Sequence, residues 1–227
     1  FGQTLERACI ETTTGEPLAN EVLEGAVAVS RHDLLAAIRA DMPANLIEFG
    51  RAFHSFDWHG GHAMCARLDD GTQIEADAFI GSDGVRSRCR ESMEPSHAWR
   101  PGRVKEIVAA VHLPTLEREL GTTFRKFMHP SGGLAVGLVP SRRGRVIWFV
   151  HPLLPCTSQG ANSALEDAAM LAHALAGCSG AAEVEAAFAR YNAARHPVMM
   201  RYVEAGRAIA AAFVRPVSDR VPLPLVT

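Results

Sequence analysis

"HPLLPCTSQGANSALEDA", residues 151–168, opens with prolines at 152 and 155, turns polar, and then settles into helical spacing. Proline fixes φ and removes a donor, so the approach is extended. From Ser158 to Asn162 a polar turn leads into Leu165, Ala168 and Leu171, which share one helix face. The first N–H groups of such a helix have no internal partner and sit at the positive end of its dipole. With Gly160 in that turn, no side chain blocks a flat or anionic ligand. An ordinary helix start capped by Thr157 or Ser158 fits the same letters, and physics alone sets it slightly ahead.

A second turn lies upstream, in "IGSDGVRSRCR", residues 80–90. Phe79 and Ile80 read as the end of a buried strand, and Gly81 and Gly84 permit a sharp turn with close backbone approach. Asp83 then stands at the strand's carboxyl end, where open α/β sheets bind ligands. Its carboxylate can accept hydrogen bonds from the vicinal hydroxyls of a ribose or ribityl chain. Arg86, Arg88 and Arg90 follow and can meet phosphate. Taken alone, an Asp-Gly pair before a basic helix is an ordinary turn.

Outward from these turns, "RACIETT" (7–13) and "VLEGAVAV" (22–29) read as extended segments around the turn "TGEP". Ser30 and Asp33 form a capping box for a short helix carrying Leu34, Leu35 and Ile38, ended by Pro43. Residues 46–81 read as an antiparallel meander, "LIEFG", "RAFHSFDW", "HAMCARL" and "TQIEADAFIG", turning at "HGG" and "DDG". Residues 104–150 are again strand-like, and helices are expected at about 159–177, 182–194 and 197–213. The tail "RPVSDRVPLPLVT" reads as an extended strap. This order suggests an α/β core with an inserted β layer.

The 227 residues are 48% hydrophobic with a formal net charge of -2, enough for one large or two small domains and without the basic footprint of a nucleic-acid binder. No apolar run is long enough to span a bilayer. Five cysteines without CxxC spacing point to reduced thiols and a cytoplasmic setting. His59 and His62 frame a glycine turn with no further ligand spaced to complete a metal set. Ser158 lacks a nucleophile elbow.

Together the two turns are more specific. "DGxxSxxR" (Asp83, Gly84, Ser87, Arg90) and "PxxxQGxNxxxED" (Pro155, Gln159, Gly160, Asn162, Glu166, Asp167) resemble the second and third signatures of the single-component FAD-dependent aromatic hydroxylases, the p-hydroxybenzoate hydroxylase type. "SRHDLLAAI" (30–38) resembles that family's Arg-bearing helix segment. The resemblance implies an FAD-binding Rossmann-like α/β domain with an inserted antiparallel β-sheet substrate domain and C-terminal helices. It assigns 19–94 and 151–227 to the FAD-binding part, and 1–18 and 95–150 to the substrate-binding sheet. The family's G-x-G-x-x-G turn near the N-terminus is absent, as is the Gly-Asp that precedes the segment matching His151. Residues of a longer protein are therefore expected before Phe1 and between Val150 and His151.

The resemblance further implies an NAD(P)H-dependent monooxygenase. FAD, reduced by NADPH or NADH, reacts with O2 to a flavin hydroperoxide that hydroxylates an aromatic or polycyclic phenolic compound. Arg31 would meet the flavin side chain or pyrophosphate. Asp83 and Gly84 would set the turn used for FAD and reduced nicotinamide. Gln159, Gly160, Ala161 and Asn162 would present N–H groups to the flavin N1–C2 carbonyl edge. Pro155 would line the reaction pocket, while Glu166 and Asp167 anchor the helix. Phe124, Phe127, Trp148 and Phe149 are available as an aromatic wall, though alternation puts Phe124 and Phe127 on opposite faces. Two alternatives stand beside this reading: another flavin reaction on the same fold (reductase or halogenase-like), and a non-catalytic binding remnant.

Overall fold

The structure, a computed structural model, describes residues 2–96, 107–151 and 160–219. Its elements in chain order are β1 (Gln3–Thr12), β2 (Pro17–Ala28), α1 (Arg31–Arg39), β3 (Phe53–His59), β4 (His62–Leu68), β5 (Gln73–Glu75), α2 (Arg88–Met93), β6 (Ile107–His112), α3 (Pro114–Leu120), β7 (Thr123–Met128), β8 (Ala135–Ser141), β9 (Arg145–His151), α4 (Gly160–Leu175) and α5 (Ala181–Phe213). They fall into two compact units. One takes Phe1–Met42, Gly102–Asp167 and Ala194–Thr227; the other takes Pro43–Pro101 and Ala168–Ala193.

The first unit is built on a six-stranded sheet of order β2-β1-β7-β8-β9-β6. Its pairs are antiparallel except β1 with β7, which run parallel. Register sorts the side chains. Thr12, Met128 and Ala135 share one face, where Phe213 at the end of α5 covers them. Phe213 is 2% exposed, and burying it contributes about 1.5–3 kcal/mol. Phe124 and Phe149 lie on that same face with ring centroids 6.0 Å apart, whereas Phe127 and Trp148 point to the other. The register thus splits the four aromatics between the two faces, as alternation requires. Gly137 sits directly across from Phe149, and a Cβ there would run into the ring. α3 packs on β7, β8 and β9, and buries Leu120.

The second unit carries the antiparallel meander β3-β4-β5. Gly60 (φ 58°) and Gly61 (φ 82°) join β3 to β4 as a two-residue loop that pairs His59 with His62, the turn conformation that demands glycine. Thr72 donates its N–H to Asp70 Oδ1 at 2.9 Å and closes the next turn. Phe56 gathers Phe53, Trp58 and Phe79 around itself at centroid distances of 4.5, 5.6 and 5.2 Å.

Several expectations are corrected. The strand read through residues 72–81 pairs only over Gln73–Glu75, and 76–83 has no regular structure, so Asp83 does not follow a paired strand. Backbone of that kind needs a neighbouring strand, and none lies beside it among the described residues. Residues 46–50 form no strand. Helix α3, opened by Pro114 at its first turn, is unforeseen. The two helices expected at 182–194 and 197–213 are one, α5, with Pro197 inside it. Proline there removes one ladder hydrogen bond, and the flanking turns carry the helix through. His151 is the last residue of β9, opposite Ala135. The tail beyond 219 lies outside the described residues.

Candidate active site

The residues singled out by the two turns lie in different units, and each group stands by itself. Asp83 and Gly84 belong to the second unit; Arg31, Gly160, Ala161 and Asn162 belong to the first. Pro155 and Gln159 lie outside the described residues.

In the second unit the Asp-Gly turn is held from within. Gly84, at φ 80°, takes a conformation that other residues avoid, and opens a single 3-10 turn, Gly84–Arg86. The Ser87 hydroxyl donates to Asp83 Oδ1 at 2.5 Å, and the Cys89 N–H donates to Asp83 Oδ2 at 3.1 Å. Ser87 Oγ in turn accepts the Arg90 N–H at 2.9 Å and caps α2. Desolvation alone would push the Asp83 carboxyl up; the Ser87 hydroxyl and the Cys89 N–H outweigh it and hold the group below the usual carboxylate range. Burial, reinforced by the Asp83 charge, pushes the Cys89 thiol up, so it stays protonated and inert. Gly81 packs against Cys89, leaving no room for a Cβ. Each Asp83 oxygen therefore already has an internal donor. What the carboxylate does first is fix the turn, and each oxygen keeps a lone pair for an outside donor.

In the first unit α4 begins at Gly160. Gly160, Ala161 and Asn162 are exposed, and a Cβ placed on Gly160 would meet nothing within 4 Å. Among the described residues nothing crowds this positive end of the helix, which suits an acceptor-rich, electron-rich edge such as that of a flavin.

Behind this turn stands a residue the sequence reading missed. Arg195 of α5 is 6% exposed and donates to Asp167 Oδ1 at 2.5 Å, to Glu166 Oε2 at 2.8 Å and to the Ser163 carbonyl at 3.5 Å. Burial would lower its pKa; the bonds to Asp167 and Glu166 outweigh that and keep the guanidinium charged. The anchoring expected of Glu166 and Asp167 thus has a named partner. An arginine 28 positions away leaves no local signal. Its only trace is that two adjacent carboxylates on an Ala-rich helix need a cation.

Arg31 is the first residue of α1, exposed, and makes no hydrogen bond or ion pair among the described residues. Ser30 caps the helix, its Oγ accepting the Asp33 N–H at 3.0 Å. Among the described residues no group of His, Cys, Asp and Glu could hold a metal ion, and no helix is long and apolar enough to cross a membrane.

No family model matches the chain. Among solved structures it superposes on PqsL of P. aeruginosa, crystallised with 2-aminobenzoylacetate, with a TM-score of 0.76 over 94% of this chain and 79% of that one, at 19% identity. Its fold is that of PqsL, described as a probable FAD-dependent monooxygenase. Klebsiella pneumoniae HpxO, crystallised with FAD and uric acid, shares this fold with a TM-score of 0.55 over 82% of this chain and 49% of that one, at 18% identity. In sequence, the chain is 28% identical over 148 residues to the FAD-dependent monooxygenase esdpE of Penicillium shearii, a match covering 55% of this chain. The chain spans only 28% of the length of that curated relative.

Proposed function

We propose that the chain is part of an FAD-dependent monooxygenase that uses NADPH or NADH and O2 to hydroxylate an aromatic or phenolic substrate. The observation that carries this reading is the open, glycine-led start of α4, in a fold shared with flavin monooxygenases. The likeness to a structure holding an aromatic keto acid supports an aromatic substrate. The balance is one reduced nicotinamide, one O2, one proton and one aromatic C–H giving the oxidised nicotinamide, a phenol and water. FAD, when bound, supplies the electron transfer and the oxygen activation.

The chain's own residues bind and orient. Backbone N–H groups of Gly160, Ala161 and Asn162 hold the electron-rich pyrimidine edge of the cofactor, with Gln159 extending the set and Pro155 shaping the pocket in front. The helix dipole favours the negative charge that this edge gains on reduction. Arg31 offers a free guanidinium to the flavin side chain or its phosphates. Asp83 fixes the Asp-Gly turn so that the Gly84 backbone can approach a dinucleotide. In this reading 19–94 and 151–227 serve FAD and 1–18 and 95–150 serve the substrate, with β2 joining the substrate sheet. We place the enzyme in the cytoplasm, in keeping with the free thiols of Cys9, Cys65, Cys89 and Cys178.

The test is NADPH or NADH oxidation by the FAD-loaded protein across a panel of phenols and aromatic acids, under isotopic O2. The reading expects one compound to stimulate oxidation and to leave with one labelled oxygen. Stimulated oxidation that yields only hydrogen peroxide across the whole panel counts against hydroxylation.

A further inference from the structure

A cleft of about 520 Å³ opens in the first unit between the β8–β9 turn and the start of α1. Arg142, Arg143 and Arg145 line it from the turn, and Ser30, His32 and Asp33 from the helix. We propose that this cleft is a phosphate-binding site for a phosphorylated organic ligand.

Charge points to the ligand's class. Three arginines and one carboxylate, Asp33, line the cleft, a formal balance of +2. None of the three guanidinium groups has a hydrogen bond or ion pair among the described residues. The Asp33 carboxylate is already held by the Ser30 hydroxyl at 2.8 Å. A phosphate dianion matches that balance and suits the planar guanidinium fork; a single carboxylate would leave one positive charge unmatched.

A second, independent observation comes from Ser141. It lines the cleft, is only 8% exposed, and its hydroxyl has no partner among the described residues. The hydroxyl is open to the cleft, where it can donate to something that enters. The helix adds two more. Asp33 and Leu34 give their N–H groups to Ser30, while those of Arg31 and His32 stand free of the helix ladder at its positive end. The turn itself is built at a cost. Arg143 has φ 64°, the one non-glycine residue with positive φ among those described, at a position where Asn or Gly is the comfortable choice.

None of the α4 residues takes part here; Arg31, whose guanidinium belongs to the flavin reading, enters only through its backbone N–H. The shared chemistry is a phosphate dianion, whether it belongs to FAD, to NADPH or NADH, or to a smaller phosphate ester.

Titration calorimetry of the chain with inorganic pyrophosphate, against benzoate as a carboxylate control, tests it. Variants Arg142→Ala, Arg143→Gly and Ser141→Ala accompany it, with circular-dichroism melting to confirm folding; glycine keeps the positive φ of residue 143. Saturable pyrophosphate binding that weakens with salt, about tenfold or more on loss of either arginine and by less for Ser141→Ala, is the expected result. Absence of saturable binding overturns the proposal. So does binding that both arginine variants leave unchanged, or benzoate bound as tightly as pyrophosphate. Titrating FAD, NADPH and NADH into the parent and Arg143→Gly then identifies the source: the dinucleotide that loses affinity owns the phosphate, and if none does the site serves a smaller ester. Loss of FAD binding in an α4 variant with pyrophosphate binding intact separates this site from the flavin reading.

Discussion

Replacing Arg195 by Met removes the cation that, among the described residues, ties the start of α4 to α5. Methionine keeps the stem's packing and deletes the charge. The parent guanidinium makes two charge-assisted hydrogen bonds, at 2.5 and 2.8 Å, and one weaker bond to a carbonyl at 3.5 Å. Bonds to charged groups are worth about 1.5–3 kcal/mol each, and breaking a fully buried pair costs about 3–5 kcal/mol. Here the carboxylates are not fully buried: the side chains of Glu166 and Asp167 are 52% and 31% exposed. Water reclaims part of what they lose, so the expected cost is about 2–3 kcal/mol. For a protein of this size that lowers the melting temperature by roughly 4–12 °C. Arg195→Lys, which keeps charge but not the fork, should fall between parent and Arg195→Met. Thermal unfolding followed by circular dichroism reads all three. An Arg195→Met protein melting within about 1 °C of the parent would refute the reasoning, because it would mean the network is solvated and idle.

Three further outcomes follow from the same geometry. Gly137→Ala drives a methyl into the Phe149 ring and should cost about 1–3 kcal/mol in chemical denaturation; an unchanged midpoint would mean the sheet face has slack. Gly160→Leu meets open space at a helix start, so melting should hold or rise by about 1 kcal/mol, while FAD affinity should fall about tenfold or more. Asp83 has a carboxyl held below its ordinary value, so it stabilises the turn above the unfolded pKa, and that contribution is lost as pH falls through the lower folded pKa. Asp83→Asn should therefore narrow its stability deficit against the parent as pH drops below about 4, and a deficit constant from pH 7 to pH 3 would contradict the assignment.

The parts legible from sequence were those written in local chemistry. Ser30 followed by Asp33 announced the cap of α1, and "HGGH" announced a glycine hairpin. Alternation placed Phe124 and Phe127 on opposite faces, as the register bears out. What failed depended on distant partners. Residues 76–81 look like a buried strand, but a strand exists only where another chain segment pairs with it. Pro197 reads as the start of a new helix after a break, yet α5 runs through it. Arg195 was unreadable for a similar reason, since its partners lie 28 and 29 positions earlier on another helix. The cleft beside α1 needed two distant turns brought together, and "SRRGR" alone reads as a solvated loop.

The central claim is that the start of α4 holds the cofactor, and FAD titration of the parent chain and Gly160→Leu tests it most directly. Quenching of flavin fluorescence, with a resolved shift of the visible band, should saturate near one FAD per chain for the parent and weaken about tenfold or more for a variant that melts no lower. Equal FAD affinity in the two proteins, or no FAD bound by the parent, would contradict it.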